Sequence, residues 1–548
     1  MPIAGSVSRP DHETGQYLAD VLRQRFMNNT ADTTPARRLP GAIPWHPVLF
    51  AATVVLAYWL DTVVSPYAAF RSLLVAVIGA GLLTLVLWAL TRNGARAGVI
   101  ASTFIGLLYS KHLAEFAFDV QELAPTWLFI TWIVAIVAVT VLAFRMIRKR
   151  AASWTAWRVN NVLNWAGVLY LGSTIAMGLL SGKFAYAAGE LDQGVSLAEA
   201  TRGHAAHPGS TVPDIYLILL DGYPRADVLA DAFDFDNSDF VASLEERGFS
   251  VATESRSDYL WTRQSLTSML HMDYVEQIPE FLAVLEGRAP QNPDLRELAN
   301  ENPAFDLARE SGYQVVATAY EFEELALRQA DVYVDPGYLN EFEFKLLVST
   351  FLGDAMAVVA PDFASSQHRD WINYQLRSLG KIARADAGSG PRLVLGHIPA
   401  PHQPTVFGPN GEPIVVPISR LFYADSPLER GEPAGEFANK YRAQLGYLNG
   451  RFLEMVDAIL ANSEQPPVIV LWADHGSASR VDWVVTTPDE AEPSTLRERT
   501  RTLFASFTPG KSGVFPNDIT PASIFRFLSD GYFGTEYGRA PAIAGYGD

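Results

Sequence analysis

Hydrophobic positions divide the chain into three regimes. Up to residue 46 they are scattered among polar residues and prolines (Pro35, Pro40 and Pro44). That stretch has neither the helical nor the strand period, nor the apolar core of a signal peptide, so residues 1–46 read as a cytoplasmic tail. Residues 47–181 carry five nearly continuous apolar segments, at about 47–64, 72–90, 97–110, 127–144 and 162–180. A membrane-crossing helix needs about 20 such residues, so the pattern predicts a five-helix transmembrane domain. The third segment is cleanly apolar only to Ser110, after which the chain reads KHLAEFAF. Residues 182–212 form a polar linker rich in Gly and charge, in which His204 and His207 read as solvated. From 213 to 548 strand-length apolar runs alternate with helical periodicity. IYLILL (215–220), YQVVATA (313–319), RLVLGH (392–397) and VIVLW (468–472) read as strands covered on both faces. Residues 444–462, with Leu445, Leu448, Phe452, Met455 and Ile459 on one face, read as a helix. The expected fold is a multi-pass α-helical membrane domain followed by an α/β domain with a mostly parallel central sheet.

Charge orients this plan. The tail carries Arg9, Arg23, Arg25, Arg37 and Arg38; the second–third loop carries Arg92 and Arg96; the fourth–fifth loop carries Arg145, Arg148, Lys149, Arg150 and Arg158. The alternate loops offer Arg71, and Lys111 set against Glu115, Asp119 and Glu122. Basic loops stay in the cytoplasm, so the N-terminus is expected inside and everything after residue 181 outside. Asp61, Lys111, His112 and Glu115 fall near outer span ends, where they could snorkel to the interface or grip a headgroup. The net charge of −18 argues against a nucleic-acid surface. The absence of cysteine removes disulfides, thiolate metal sites and cysteine nucleophiles.

The chemistry gathers at strand ends. VIVLW runs directly into Ala473, Asp474, His475 and Gly476, and IYLILL into Asp221 and Gly222. RLVLGH brings His397, with His402 five residues on. In open α/β sheets ligands sit beyond the carboxyl ends of the strands. Two carboxylates and an imidazole there suit one divalent cation such as Zn²⁺ or Mn²⁺, with a second left open. Thr262, in WTRQSL, could supply the reacting oxygen, since metal coordination is one way to activate a weak hydroxyl nucleophile. His402 could protonate a leaving group or bind a phosphate oxygen, and Arg480 could hold a phosphate; an ordinary loop histidine and a solvated surface arginine are the alternatives. His271, His368 and Arg369 read as structural.

PDIYLILLDGY, TRQSLTSMLH, LGHIPAPHQP and VIVLWADHG occur in this order, and together they resemble the alkaline phosphatase/sulfatase superfamily over about residues 213–535. The resemblance implies Asp221, Thr262, Asp474 and His475 as metal ligands and Thr262 as nucleophile. It makes His402 the active-site histidine rather than His397, with His397, Ser265 and Arg480 left as substrate-binding candidates. Spans followed by such an outer domain resemble lipoteichoic acid synthases and phosphoethanolamine transferases, and LTSMLHMDY, KYRAQLGYLNGRF and ITPASIFRFL resemble a group of membrane-anchored sulfatase-like proteins. The chain lacks the Cys or Ser that sulfatases convert to formylglycine, so sulfate-ester chemistry is not expected. The resemblance implies a phospho-headgroup transferase at a bacterial inner membrane. It would act through a phosphothreonine, with a membrane lipid as donor and an envelope glycan or lipid as acceptor. A phosphodiesterase or phosphatase using the same site, and a non-enzymatic membrane assembly factor, are the two other readings.

Overall fold

The computed structural model describes residues 43–62, 64–118, 153–181, 183–184, 212–285, 294–384, 390–417, 432–479 and 492–541, with a few positions between 130 and 141. Most of the expected tail, the expected linker, Arg480 and the side chains of Lys111, His112 and Glu115 lie outside the described residues.

Among the described residues, four long helices occupy the N-terminal region: His46–Leu60, Pro66–Thr91, Gly94–Phe118 and Ser153–Leu180. Among the described residues two stretches are long and apolar enough to cross a membrane, Pro66–Thr91 and Arg158–Leu180; His46–Leu60 and Gly94–Tyr109 are apolar but shorter. The first helix stops at Leu60 because Asp61 follows and Pro66 opens the next. The expected fourth span falls largely outside the described residues, although Ile130, Val134, Val137 and Val141 within it are helical and exposed. Along Pro66–Thr91 only three alanines are buried, while Phe70, Leu74, Val75, Ile78, Leu82, Leu85 and Val86 are open. A core helix of a soluble protein would be covered; an uncovered apolar cylinder suits lipid. The helices are also tied by polar contacts. His46 Nδ1 lies 2.5 Å from Ser102 Oγ and its Nε2 3.1 Å from Asn160 Oδ1, and Asn164 Oδ1 accepts from the His46 N–H at 3.0 Å. Hydrogen bonds of this kind hold helices together where burial in lipid supplies no hydrophobic drive.

The second part is a three-layer α/β domain built on one seven-stranded sheet. The strands are β1 (Ile215–Leu220), β2 (Ser250–Val251), β3 (Gln314–Thr318), β4 (Val332–Val334), β5 (Arg392–Ile398), β6 (Val468–Trp472) and β7 (Phe504–Phe507). Their order is β2-β7-β6-β1-β5-β3-β4. β1 pairs in parallel with β5 and β6, and β3 with β4 and β5, while β7 is antiparallel to β6 and to β2. The sheet is therefore mixed but mostly parallel. Every residue of β1, β5 and β6 is buried, as continuous apolar runs require when helices cover both faces. Tyr216, Ile218 and Leu220 point to one core, shared with Ile372, Leu376 and Leu379 of the helix Phe363–Arg384 and with Leu445, Leu448 and Phe452 of the helix Ala434–Asn462. Ile215, Leu217 and Leu219 point to the other, with Leu266, Met269 and Leu270 of the helix Thr262–His271 and with Ile524, Phe525 and Leu528. Fully burying each such aliphatic side chain stabilises the fold by about 1.5–3 kcal/mol.

The two parts meet at the turn between the first two helices. The helix Glu341–Val348, inserted between β4 and β5, packs Phe342 and Leu346 against Val55, Trp59, Ala68 and Ala69. Arg71 grips Glu343 with both forks, Nε–Oε1 at 2.7 Å and Nη2–Oε2 at 2.5 Å, and also donates to Gly337 O at 2.9 Å. Asn340, which caps that helix, donates to Ala68 O at 3.1 Å. Arg71, in the first turns of the helix Pro66–Thr91, thus helps tie that helix to the α/β domain.

Candidate active site and metal centre

Register places the first two carboxylates. Ile215 lies beside Val468 and Leu219 beside Trp472; the same offset carried past the strand ends sets Asp221 beside Asp474. Neighbouring parallel strands are about 4.8 Å apart, so two acids are delivered side by side in a fully buried place. Asp221 is 4% exposed and Asp474 0%. Gly222 turns the chain away with φ +71°, and a Cβ there would press on the His402 backbone at 3.3 Å. Its N–H donates to Asp474 Oδ1 at 3.2 Å.

Two carboxylate oxygens between these acids have no hydrogen-bond partner among the described residues. Asp221 Oδ1 and Asp474 Oδ2 are buried and accept no hydrogen bond. His475 Nε2 lies 3.6 Å from the first and 3.1 Å from the second. His475 Nδ1 is 2.9 Å from Gly476 O, where it can only donate. Nε2 therefore presents a lone pair to two carboxylate oxygens, a repulsive arrangement that a cation relieves. Thr262 Oγ1 completes the group, 3.1 Å from that nitrogen. Two carboxylate oxygens, one neutral imidazole nitrogen and a hydroxyl fit a divalent cation. A ring nitrogen of His402 joins from the side; the ligand atoms of Asp221, His402 and His475 lie within 4.8 Å of one another. The His402 Nδ1–H donates to Gln403 O at 2.6 Å, which leaves Nε2 unprotonated.

Electrostatics follow from burial. Burial favours a protonated Asp221, but the imidazoles of His402, His397 and His475 outweigh it and hold the carboxyl well below its ordinary range. Asp474 is pushed the other way, by burial and then by the charge of Asp221. Burial, and then the Arg499 charge, keeps His475 neutral, the form a metal ligand needs. Burial likewise lowers His402 and His397.

Thr262 opens the helix Thr262–His271 after an extended Trp261. The first N–H groups of a helix have no partner within it and favour an anion there, so the hydroxyl stands where a phosphate is welcome. Beneath it, Ser265 is fully buried and donates to Asp474 O at 2.8 Å, and the Ser257 hydroxyl bonds the same carbonyl. Ser265 thus braces the Asp474 loop. His397 is likewise drawn behind the site. Its Nε2 is 3.2 Å from Asp221 Oδ2, and its ring stacks on Tyr320 at 3.7 Å. Arg480 lies outside the described residues. Arg263 turns away from the centre to pair with Glu324, and His271 and Arg369 make structural contacts with Leu298 O and Asp362.

Three contributors were not visible in the sequence. Tyr320 donates to Asp221 Oδ2 at 3.0 Å. Arg499, 1% exposed, donates to Leu260 O at 2.8 Å and to Gly476 O at 2.6 Å, and so clamps the Thr262 and His475 segments together. Glu321, next to Tyr320, holds His368 Nδ1 at 2.6 Å. Each depends on contacts between segments 23 to 239 residues apart, and no local motif signals them. Gly476 is the one hint: a Cβ there would lie 2.0 Å from Glu498 O, so only glycine permits this approach.

No protein-family profile matches the chain, and no curated relative does. Among solved structures it is similar to the C-terminal periplasmic domain of EptC from Escherichia coli in complex with Zn, at 13% identity and a TM-score of 0.38, over 63% of this chain and 87% of that one. It is similar to the integral membrane lipooligosaccharide phosphoethanolamine transferase A of Neisseria meningitidis, at 10% identity and 0.35, over 89% and 94%. A phosphonate monoester hydrolase of Agrobacterium radiobacter matches at 15% and 0.39, over 61% and 79%. These are proteins of the kinds its motifs resemble. At such identities and scores they lend this chain no activity, and its function is inferred from the site.

Proposed function

We propose that this protein is a membrane-anchored transferase that moves a phospho-headgroup, of phosphoglycerol or phosphoethanolamine type, from a lipid to an envelope acceptor by way of phosphothreonine at residue 262. The observation that carries it is Thr262 Oγ1 at a helix N-terminus, beside a neutral imidazole and the buried carboxylates of Asp221 and Asp474. A divalent cation held by Asp221, Thr262, Asp474 and His475 would acidify the threonine hydroxyl and offset charge on the phosphate. Thr262 attacks phosphorus, and the glycerol oxygen of diacylglycerol leaves. The proton that Thr262 gives up is the one this oxygen needs, and His402, neutral and within the cluster, is the group to carry it. In the second half an acceptor hydroxyl displaces Thr262, and the same imidazole takes its proton.

The uncovered apolar helices support a membrane location, and the basic residues of the tail and alternate loops support a bacterial inner membrane with the α/β domain outside the cytoplasm. The full chain in vesicles containing phosphatidylglycerol or phosphatidylethanolamine, with Zn²⁺ or Mn²⁺, is expected to release diacylglycerol, and the Thr262→Ala variant is not. Equal release by both proteins would sink the proposal. Free headgroup phosphate formed without any acceptor would instead identify a hydrolase.

A further inference from the structure

The helix Phe351–Val359 follows the docking helix after a turn at Ser349 and Thr350. Its sequence, FLGDAMAVV, contains one charge. Leu352, Ala355, Met356 and Val359 recur at i, i+3, i+4 and i+7 and so share a face, with Val358 beside it and Asp354 opposite. In a soluble domain such a face would be buried. Here Leu352 is 51% exposed, Val358 74% and Val359 84%.

The level of this helix can be fixed against the membrane. In the helix Pro66–Thr91 the uncharged run from Ser72 to Thr91 is about 30 Å long at 1.5 Å per residue, which matches the hydrocarbon core. Arg71 therefore stands at the outer boundary, and the Glu343 it grips stands there too. The helix Phe351–Val359 continues from that point and packs against the membrane helix Gly94–Phe118. Ala355 and Met356 are half-buried, whereas Leu352, Val358 and Val359 stay open, as Phe70, Leu74 and Val75 do on the membrane helix Pro66–Thr91.

We infer that Phe351–Val359 is an interfacial foot of the α/β domain, with Leu352, Val358 and Val359 seated in the outer-leaflet boundary between headgroups and acyl chains. Amphipathic helices of this kind enter that boundary by about 5–10 Å. The foot holds the α/β domain at one height against the bilayer. This deepens the lipid-donor reading, but the placement itself rests only on the membrane helices.

The chain has no cysteine, so single labels are clean. Val358→Cys and Val359→Cys would carry an environment-sensitive fluorophore, with exposed Gln465→Cys as the water-facing control. The full chain would be placed in phosphatidylglycerol–phosphatidylcholine vesicles that contain nitroxide lipids. Labels at 358 and 359 are expected to be blue-shifted, quenched by the nitroxide lipids and protected from iodide, with the reverse at 465. Iodide quenching at 358 and 359 equal to that at 465 would overturn the inference. So would protection from both quenchers, which would show a protein surface covering the face. The same labels in a Thr262→Ala background separate the two ideas, because placement should persist where chemistry is lost. Val358→Asp with Val359→Asp is expected to slow turnover of a vesicle lipid while leaving a soluble phosphodiester unaffected.

Discussion

Asp221 and Asp474 share one level of a parallel ladder, and what separates their roles is their partners. Asp221 accepts from Tyr320 and His397, whereas Asp474 accepts at Oδ1 from the Gly222 backbone. Outer partners of a metal ligand typically contribute 10–100-fold to affinity. Tyr320→Phe is accordingly expected to weaken Zn²⁺ or Mn²⁺ binding by about 10–100-fold, read by competition with a chelating dye. Protonation of Asp474, favoured by burial and by Asp221, opposes the cation. Metal affinity should therefore rise as pH is raised through neutrality; titrations showing an affinity indifferent to pH would contradict the donor set. Asp258 gives a second pH signature, away from the metal. Burial pushes it up to about 6 despite bonds from Thr520 and the Ala522 N–H. A carboxyl whose pKa is raised on folding contributes stability below its ordinary range, near pH 4, and loses it as pH climbs through about 6. Asp258→Asn should gain in melting temperature over the wild type progressively across that window, measured in one detergent.

At the scale of elements, the strands were legible because continuous apolar runs of five to seven residues have few other uses. β1, β5 and β6 fall within a residue of the runs at 215–220, 392–397 and 468–472. With them came Asp221, Asp474 and His475, since a strand end fixes where the next side chain lands. Thr262 was legible from the motif around it. The helix read as 444–462 begins instead at Ala434, because its first turns carry polar residues that hide the period. The hydrogen bonds of Ser265 and His397 were not legible for a related reason. Proximity to the site was clear, but which way each hydrogen bond runs depends on the fold. The loop after β6 shows how close that fit is. Gly476 donates to Arg499 O at 2.6 Å and leaves no room for a methyl group. Gly476→Ala is expected to displace His475 and yield a folded protein with sharply reduced metal content, measured by elemental analysis beside circular dichroism.

The whole molecule joins a bundle of apolar helices to an α/β domain. Beside the apolar packing of Phe342 and Leu346, the polar ties among the described residues include Arg71 with Glu343, Asn340 on Ala68 O, and Arg328, whose guanidinium lies 5.9 Å above the Tyr67 ring and pairs with Glu323. Arg71→Ala is expected to speed hydrogen exchange across the helix Glu341–Val348 and leave the central sheet protected; unchanged exchange there would show that apolar packing alone joins the parts. The central claim concerns one oxygen. The full chain, incubated in vesicles with phosphatidylglycerol or phosphatidylethanolamine and Zn²⁺ or Mn²⁺ and quenched in acid, can be digested and mapped by mass spectrometry. A mass increment equal to the phospho-headgroup, confined to the peptide containing Thr262 and absent from Thr262→Ala, is the predicted result. Lipid turnover with an unmodified Thr262 at every time point, or an adduct that persists in Thr262→Ala, would contradict it.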